Sequence, residues 1–343
     1  MLNRNLIFNP NGSSSKEDRQ IILGNTTNII ELNNVKYQWA YDLYKLMGFT
    51  NFWIPEEISM NDDRRQYETI LSDYEKRVYE MVLSFLIVLD SYQVNMLKEF
   101  SRYITAPELV LCLTSQEFQE GLHSYSYQFI LESVVDKDKA DQIYNYWRED
   151  EVLMERIKVI ASIYNDFVLN PTEENFVKAV VGNYILESLY FYSGFAAFYT
   201  LARQGKMINT SQQIKYINRD ELTHVTLFRS IITTLKQENK ELFTPELDKW
   251  IYEIFKYATD AEIKWGQHVT QNQILGLNNQ LIEKYIKYLS NIRLNHIGYK
   301  PLYPTVTENP LKWIDTFRSI NDTKTDFFEK KVLGYSKRNE LKW

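Results

Sequence analysis

The sequence predicts an all-α protein built as one bundle of long helices. Three observations carry that prediction. From Val35 onward nearly every segment has helical character, and no stretch of useful length alternates as a strand does. Glycine and proline are scarce, 11 and 8 in 343 residues, which favours long uninterrupted elements. No Gly/Ser linker divides residues 35–300, and long helices with short connections pack as a bundle.

The elements follow in order. Residues 1–22 are polar and Ser/Asn-rich and read as a flexible leader; 23–300 form the helical domain; 301–343 are a C-terminal segment and tail. Ser72 followed by Glu75 is a capping-box pattern and opens a helix to about Tyr103. Thr105, Pro107 and Glu108 open the next, which carries "QEGLHSYSY". A third long helix runs from about 138 to Asn170, where Asn-Pro ends it. A fourth starts near Thr172 and stops at Gly205, a C-terminal cap. Thr210 with Gln213 opens a fifth, Thr244-Pro245 a sixth, and one more begins near Asn278. At 1.5 Å per residue the longest are about 45 Å.

Composition removes several function classes. A net charge of −6 without a basic block argues against a nucleic-acid groove. The single cysteine, Cys112, allows no intrachain disulfide and fits a reducing cytoplasm. The N-terminus has no apolar signal segment, and no uncharged apolar run is long enough to read as a membrane span.

The chemistry lies in a repeated pattern. Two of the four histidines have glutamate three residues earlier, Glu120/His123 and Glu221/His224, so each pair shares a helix face. Alone, such a pair is more often a surface contact or a satisfied core histidine. The preceding helix changes the odds in both cases. Asp90 interrupts the apolar "MVLSFLIVLDSY", and Glu187 is the only charge in "NYILESLYFYSGFAAFYTL". A carboxylate buried in such a helix costs many kcal/mol unless compensated, and neither run supplies a base. One carboxylate followed on the next helix by Glu-x-x-His, twice over, is the ligand set of ferritin-like dimetal carboxylate bundles. Four carboxylates and two imidazoles suit two ions of iron or manganese better than zinc. Tyr127 lies at His123+4, Phe191 and Phe195 at Glu187+4 and +8, and Ile217 at Glu221−4. An apolar-walled tyrosine beside an oxidising metal pair could survive as a radical; the plainer reading is aromatic core.

The segments "NFWIPEEIS", "VLDSYQ", "QEGLHSYSY", "LESLYFYSGF", "INRDELTH" and "DFFEKKVLGYSK" resemble, in order, the small (β) subunit of class I ribonucleotide reductase. The resemblance implies that Asp90, Glu120 and His123 hold one metal and Glu187, Glu221 and His224 the other, with Glu120 and Glu221 bridging. It implies Tyr127 as the stable radical in a pocket of Phe191, Phe195 and Ile217. It also implies a relay through Trp53, hydrogen-bonded via Asp220 to His123, and through Tyr335 to a cysteine of a separate large subunit that reduces ribonucleotides. A homodimer, an activating flavoprotein where manganese is used, and docking by the C-terminal tail belong to the same expectation. Only "SKRNELKW" follows Tyr335, leaving Leu341 and Trp343 as apolar anchors. The alternative is a stand-alone ferritin-like oxidase or hydroxylase acting on an organic ligand, which would need neither Trp53 nor Tyr335.

Overall fold

The computed structural model describes residues 1–315. Among these, helices α1 (Gln38–Lys45), α2 (Asn61–Thr69), α3 (Asp73–Ser101), α4 (Pro107–Val134), α5 (Lys137–Asn145) and α6 (Glu151–Leu169) lead into α7 (Glu173–Ile185) and α8 (Tyr192–Arg203). α9 (Ile208–Glu238), α10 (Pro245–Thr270) and α11 (Asn279–His296) follow. No strand occurs among the described residues, only isolated bridges. α3 lies along α4, α7 packs on α6 and α9, and α10 on α11, so the apolar stripes of the long helices meet in one core. Close approach is enforced where α8 meets α3: a Cβ on Gly194 would come within 2.8 Å of Val82 Cγ1.

Several helix starts follow local chemistry. Ser72 and Glu75 form the reciprocal capping box of α3, and Thr172, Thr244 and Asn278 each accept a first-turn N–H. α3 is the one described helix long and apolar enough to cross a membrane, and most of that stretch is buried in the bundle.

Four features depart from the sequence reading. The helix expected from 138 to 170 is two, because Asp150 competes for the backbone. One carboxylate oxygen caps Leu153 N–H at 2.8 Å and the other lies 2.7 Å from His268. Thr210 and Gln213 do not cap α9, which begins earlier, at Ile208. Its start is capped from another helix: Asp63 of α2 accepts Asn209 N–H at 3.2 Å and Thr210 N–H at 2.6 Å. The segment 172–205 is interrupted by a π-helical turn at Leu186–Tyr190. Residues 1–22, expected to be flexible, lie against the bundle. Leu2 N–H donates to Pro171 O at 2.7 Å, Ile21 and Ile22 are buried, and Arg19 pairs with buried Glu108 at 3.1 Å.

Candidate metal centre

Four segments deliver the site. α3 brings Asp90, α4 brings Glu120 and His123, the π turn brings Glu187, and α9 brings Glu221 and His224. All six side chains are fully buried. Their ligand atoms fall into two sets, each within 4.8 Å: Asp90, Glu120, His123 and Glu221; and Glu120, Glu187, Glu221 and His224. Glu120 and Glu221 belong to both. His123 Nδ1 lies 3.1 Å from Glu221, 3.5 Å from Glu120 and 3.8 Å from Asp90. His224 Nδ1 lies 3.1 Å from Glu221, 3.2 Å from Glu120 and 3.6 Å from Glu187.

The donor set fits two divalent cations. Both oxygens of Asp90, Glu120 Oε2, His123 Nδ1, Glu187 Oε2 and Glu221 Oε1 are buried without a hydrogen-bond partner. Such atoms are costly unless something binds them. The proton affinities agree. Burial, then the charge of Glu120, pushes Asp90 well above the usual carboxylate range; burial, then Glu187 and Glu120, does the same to Glu221. Burial would raise Glu120 too, but His224 and His123 outweigh it and hold it down to about 2. Burial opposes a charged His224, yet Glu120 and Glu187 lift it to about 10.

The surrounding shell orients the ligands. His123 Nε2 faces Asp220 Oδ2 at 3.3 Å, and the same oxygen accepts the Trp53 indole N–H at 2.9 Å. Arg219 donates to Asp220 Oδ1 at 3.0 Å. His224 Nε2 meets the Gln119 carbonyl oxygen at 3.0 Å instead. Glu187 Oε1 accepts from the amides of Gln93 and of Gln116, the latter at 2.6 Å. Tyr164 lies 3.1 Å from Gln93 Oε1 and 2.8 Å from Asn183. One hydroxyl proton cannot serve both contacts. Rotating the Asn183 amide, whose nitrogen otherwise has no partner, makes it the donor to Tyr164 and resolves the conflict.

The Tyr127 hydroxyl is fully buried without a hydrogen-bond partner; burial first, then the charge of Asp90, pushes its pKa far up. Phe191, Phe195 and Ile217 are buried, with the Phe191 and Phe195 rings 5.7 Å apart. Tyr125, by contrast, is exposed and donates to Glu56. Tyr335, Leu341 and Trp343 lie outside the described residues.

The sequence reading missed Gln93, Gln116, Gln119 and Tyr164. Gln93 at Asp90+3 and Gln116 at Glu120−4 share the ligand faces, so spacing could have flagged them. Gln119 is next to Glu120, and Tyr164 is on another helix, so spacing could flag neither.

A family model described as "Ribonucleotide reductase, small chain" matches residues 29–310. The chain is similar to the ribonucleoside-diphosphate reductase subunit beta of Treponema pallidum, 41% identical over 99% of this chain and 97% of that one. It superposes on the ribonucleotide reductase R2 subunit from Clostridium botulinum with a TM-score of 0.90, at 51% identity over 93% of this chain and 99% of that one. Streptococcus sanguinis dimanganese(II)-NrdF shares the fold at a TM-score of 0.73 and 22% identity, covering 85% of this chain and 99% of that one.

Proposed function

We propose that this chain, which belongs to the ribonucleotide reductase small-chain family, generates and holds a tyrosyl radical at Tyr127 and passes it to a large subunit. One observation carries the reading. Six buried candidate ligands, five of them with unpartnered atoms, converge in two sets, and a buried phenol stands one helical turn from His123. Asp90, Glu120, His123, Glu187, Glu221 and His224 would hold two iron or manganese ions, which with oxygen supply the oxidising power for removing one electron from Tyr127.

The chain's own residues do the rest. Oxidation of Tyr127 to a neutral radical removes its phenolic proton together with the electron, and Asp90 is the carboxylate whose charge acts most on that phenol. Burial of Tyr127 keeps water and reductants from the radical. Asp220 links the His123 imidazole to the Trp53 indole through a single oxygen, so electron and proton can shift together along that line. This link supports the relay reading over a stand-alone oxidase. Tyr335 would carry the radical onward to the large subunit, where ribonucleotides are reduced. A homodimer is part of the reading, with the C-terminal tail as the docking element and a flavoprotein activator where manganese is used.

The test is to load the metal-free protein with Fe(II), admit oxygen, and record the electron paramagnetic resonance spectrum. A tyrosyl signal that is lost in Tyr127→Phe supports the proposal. No signal with iron, or with manganese and an activating flavoprotein, refutes it.

A further inference from the structure

Glu187 reaches the site from a π turn, and π turns need an explanation. One extra residue in the turn leaves flanking backbone groups without their usual helix partners. Here two are met by side chains from other helices. The Tyr190 carbonyl, at the last residue of the turn, accepts from the Arg156 guanidinium of α6. The Ser193 N–H, in the first turn of α8, donates to Glu262 Oε1 of α10 at 3.1 Å, and the Ser193 hydroxyl donates to the same oxygen. Arg156 and Glu262 also form an ion pair with each other.

This pair is costly to bury. The side chains are 1% and 0% exposed. The guanidinium carbon sits 3.7 Å from the Phe85 ring centroid, 4.3 Å from Tyr190 and 5.7 Å from Trp265, an aromatic cage in place of water. Burial lifts Glu262 to about 7 and presses Arg156 down to about 10, so each depends on the other to stay charged. A buried ion pair is weak evidence for stability, because well-packed apolar residues often serve as well. Its best-attested use is to select one conformation. Among the described residues and apart from each other, both partners hydrogen-bond only to residues at the C-terminal end of this turn, Tyr190 and Ser193.

We propose that Arg156 and Glu262 are positioning residues that hold the π turn 186–190 open and thereby set Glu187 as a metal ligand. Without them the segment gains by closing into a regular α-helix. That removes the extra residue from the turn and rotates Glu187 away from His224, while Asp90, Glu120 and His123 sit on uninterrupted helices and stay. The inference rests on the dimetal reading, and its test separates the two.

The experiment titrates metal-free protein with Mn(II), following bound equivalents by calorimetry and spin state by electron paramagnetic resonance. Wild type and Arg156→Met/Glu262→Leu are compared, with thermal unfolding as a control. Wild type is expected to take two tight equivalents. The double variant is expected to unfold within a few degrees of wild type, to bind the second equivalent about tenfold or more weakly, and to show the signal of magnetically isolated Mn(II) at one equivalent. Two unchanged equivalents in a folded variant overturn the inference alone. Failure of wild type to bind two overturns the dimetal reading and the inference with it. If the double variant does not fold, Glu262→Gln decides by the same titration. That variant keeps an acceptor for Ser193 but loses the charge that holds Arg156: a weakened second equivalent supports the inference, and an unchanged one overturns it.

Discussion

The two halves of the metal centre use the same ligand types and differ in what stands behind them. Behind His123 is a carboxylate, Asp220, tied to Trp53 and Arg219. Behind His224 is a neutral amide, Gln119. The first half draws its ligands from the unbroken helices α3, α4 and α9; the second depends on a π turn for Glu187. A charged partner makes an imidazole more basic and opens a path for proton and electron, whereas an amide fixes ring orientation and ends the path. The His123 half is therefore hydrogen-bonded outward to Trp53, whereas the His224 half ends at Gln119 and takes Glu187 from a π turn.

That contrast can be broken most forcefully at Trp53. Trp53→Phe removes the indole N–H and is expected to cut nucleotide reduction with the large subunit by on the order of a hundredfold or more. The Tyr127 signal should still form at normal yield. Equal loss of the signal would show that Trp53 serves the site rather than a relay. Next is the partner of each histidine. Asp220→Ala should weaken Mn(II) in the His123 half by about 10–100-fold, and Gln119→Ala should weaken the other half near the lower end of that range. Calorimetric titration measures both, and the reverse order would undo the comparison.

A pH series sharpens it further. In metal-free protein His224 is raised to about 10 and Glu221 and His123 are also raised, so protons occupy these groups near neutrality. Metal binding must displace them, so affinity should rise with pH, by about tenfold per pH unit for each proton released. Flat affinity between mildly acidic and mildly alkaline buffer would contradict the assignment of these groups as ligands. The smallest effect is expected from Tyr164→Phe. Losing the hydroxyl removes its buried hydrogen bonds to Gln93 and Asn183; the Gln93 bond, the one that bears on Glu187, is worth about 1 kcal/mol, read as a few-fold weaker second equivalent with the first unchanged.

Much of this arrangement was legible beforehand because helices convert spacing into direction. Glu120/His123 and Glu221/His224 share faces by the i, i+3 rule, and lone carboxylates in apolar runs marked Asp90 and Glu187. Ser72, Thr172, Thr244 and Asn278 announced helix starts because a cap acts on its own backbone. Some failures were local, such as the Asp150 cap on Leu153, and others came from a partner distant in sequence. Asp63 caps α9 from α2, so Thr210 was the wrong signal. His268 lies 118 positions from Asp150, the residue at which the expected long helix breaks.

The sequence by itself determined the all-helical class and pointed to six candidate ligands and the tyrosine beside them, since each rests on periodicity or on the cost of a buried charge, both local properties. Tertiary structure alone decided that the two Glu-x-x-His faces meet, that one histidine leans on a carboxylate and the other on an amide, and that Glu187 arrives through a π turn. No local rule favours an extra residue in a helical turn. It exists here because α6 and α10 supply Arg156 and Glu262 to the backbone groups that the turn leaves free, and only folding brings those helices to the same place.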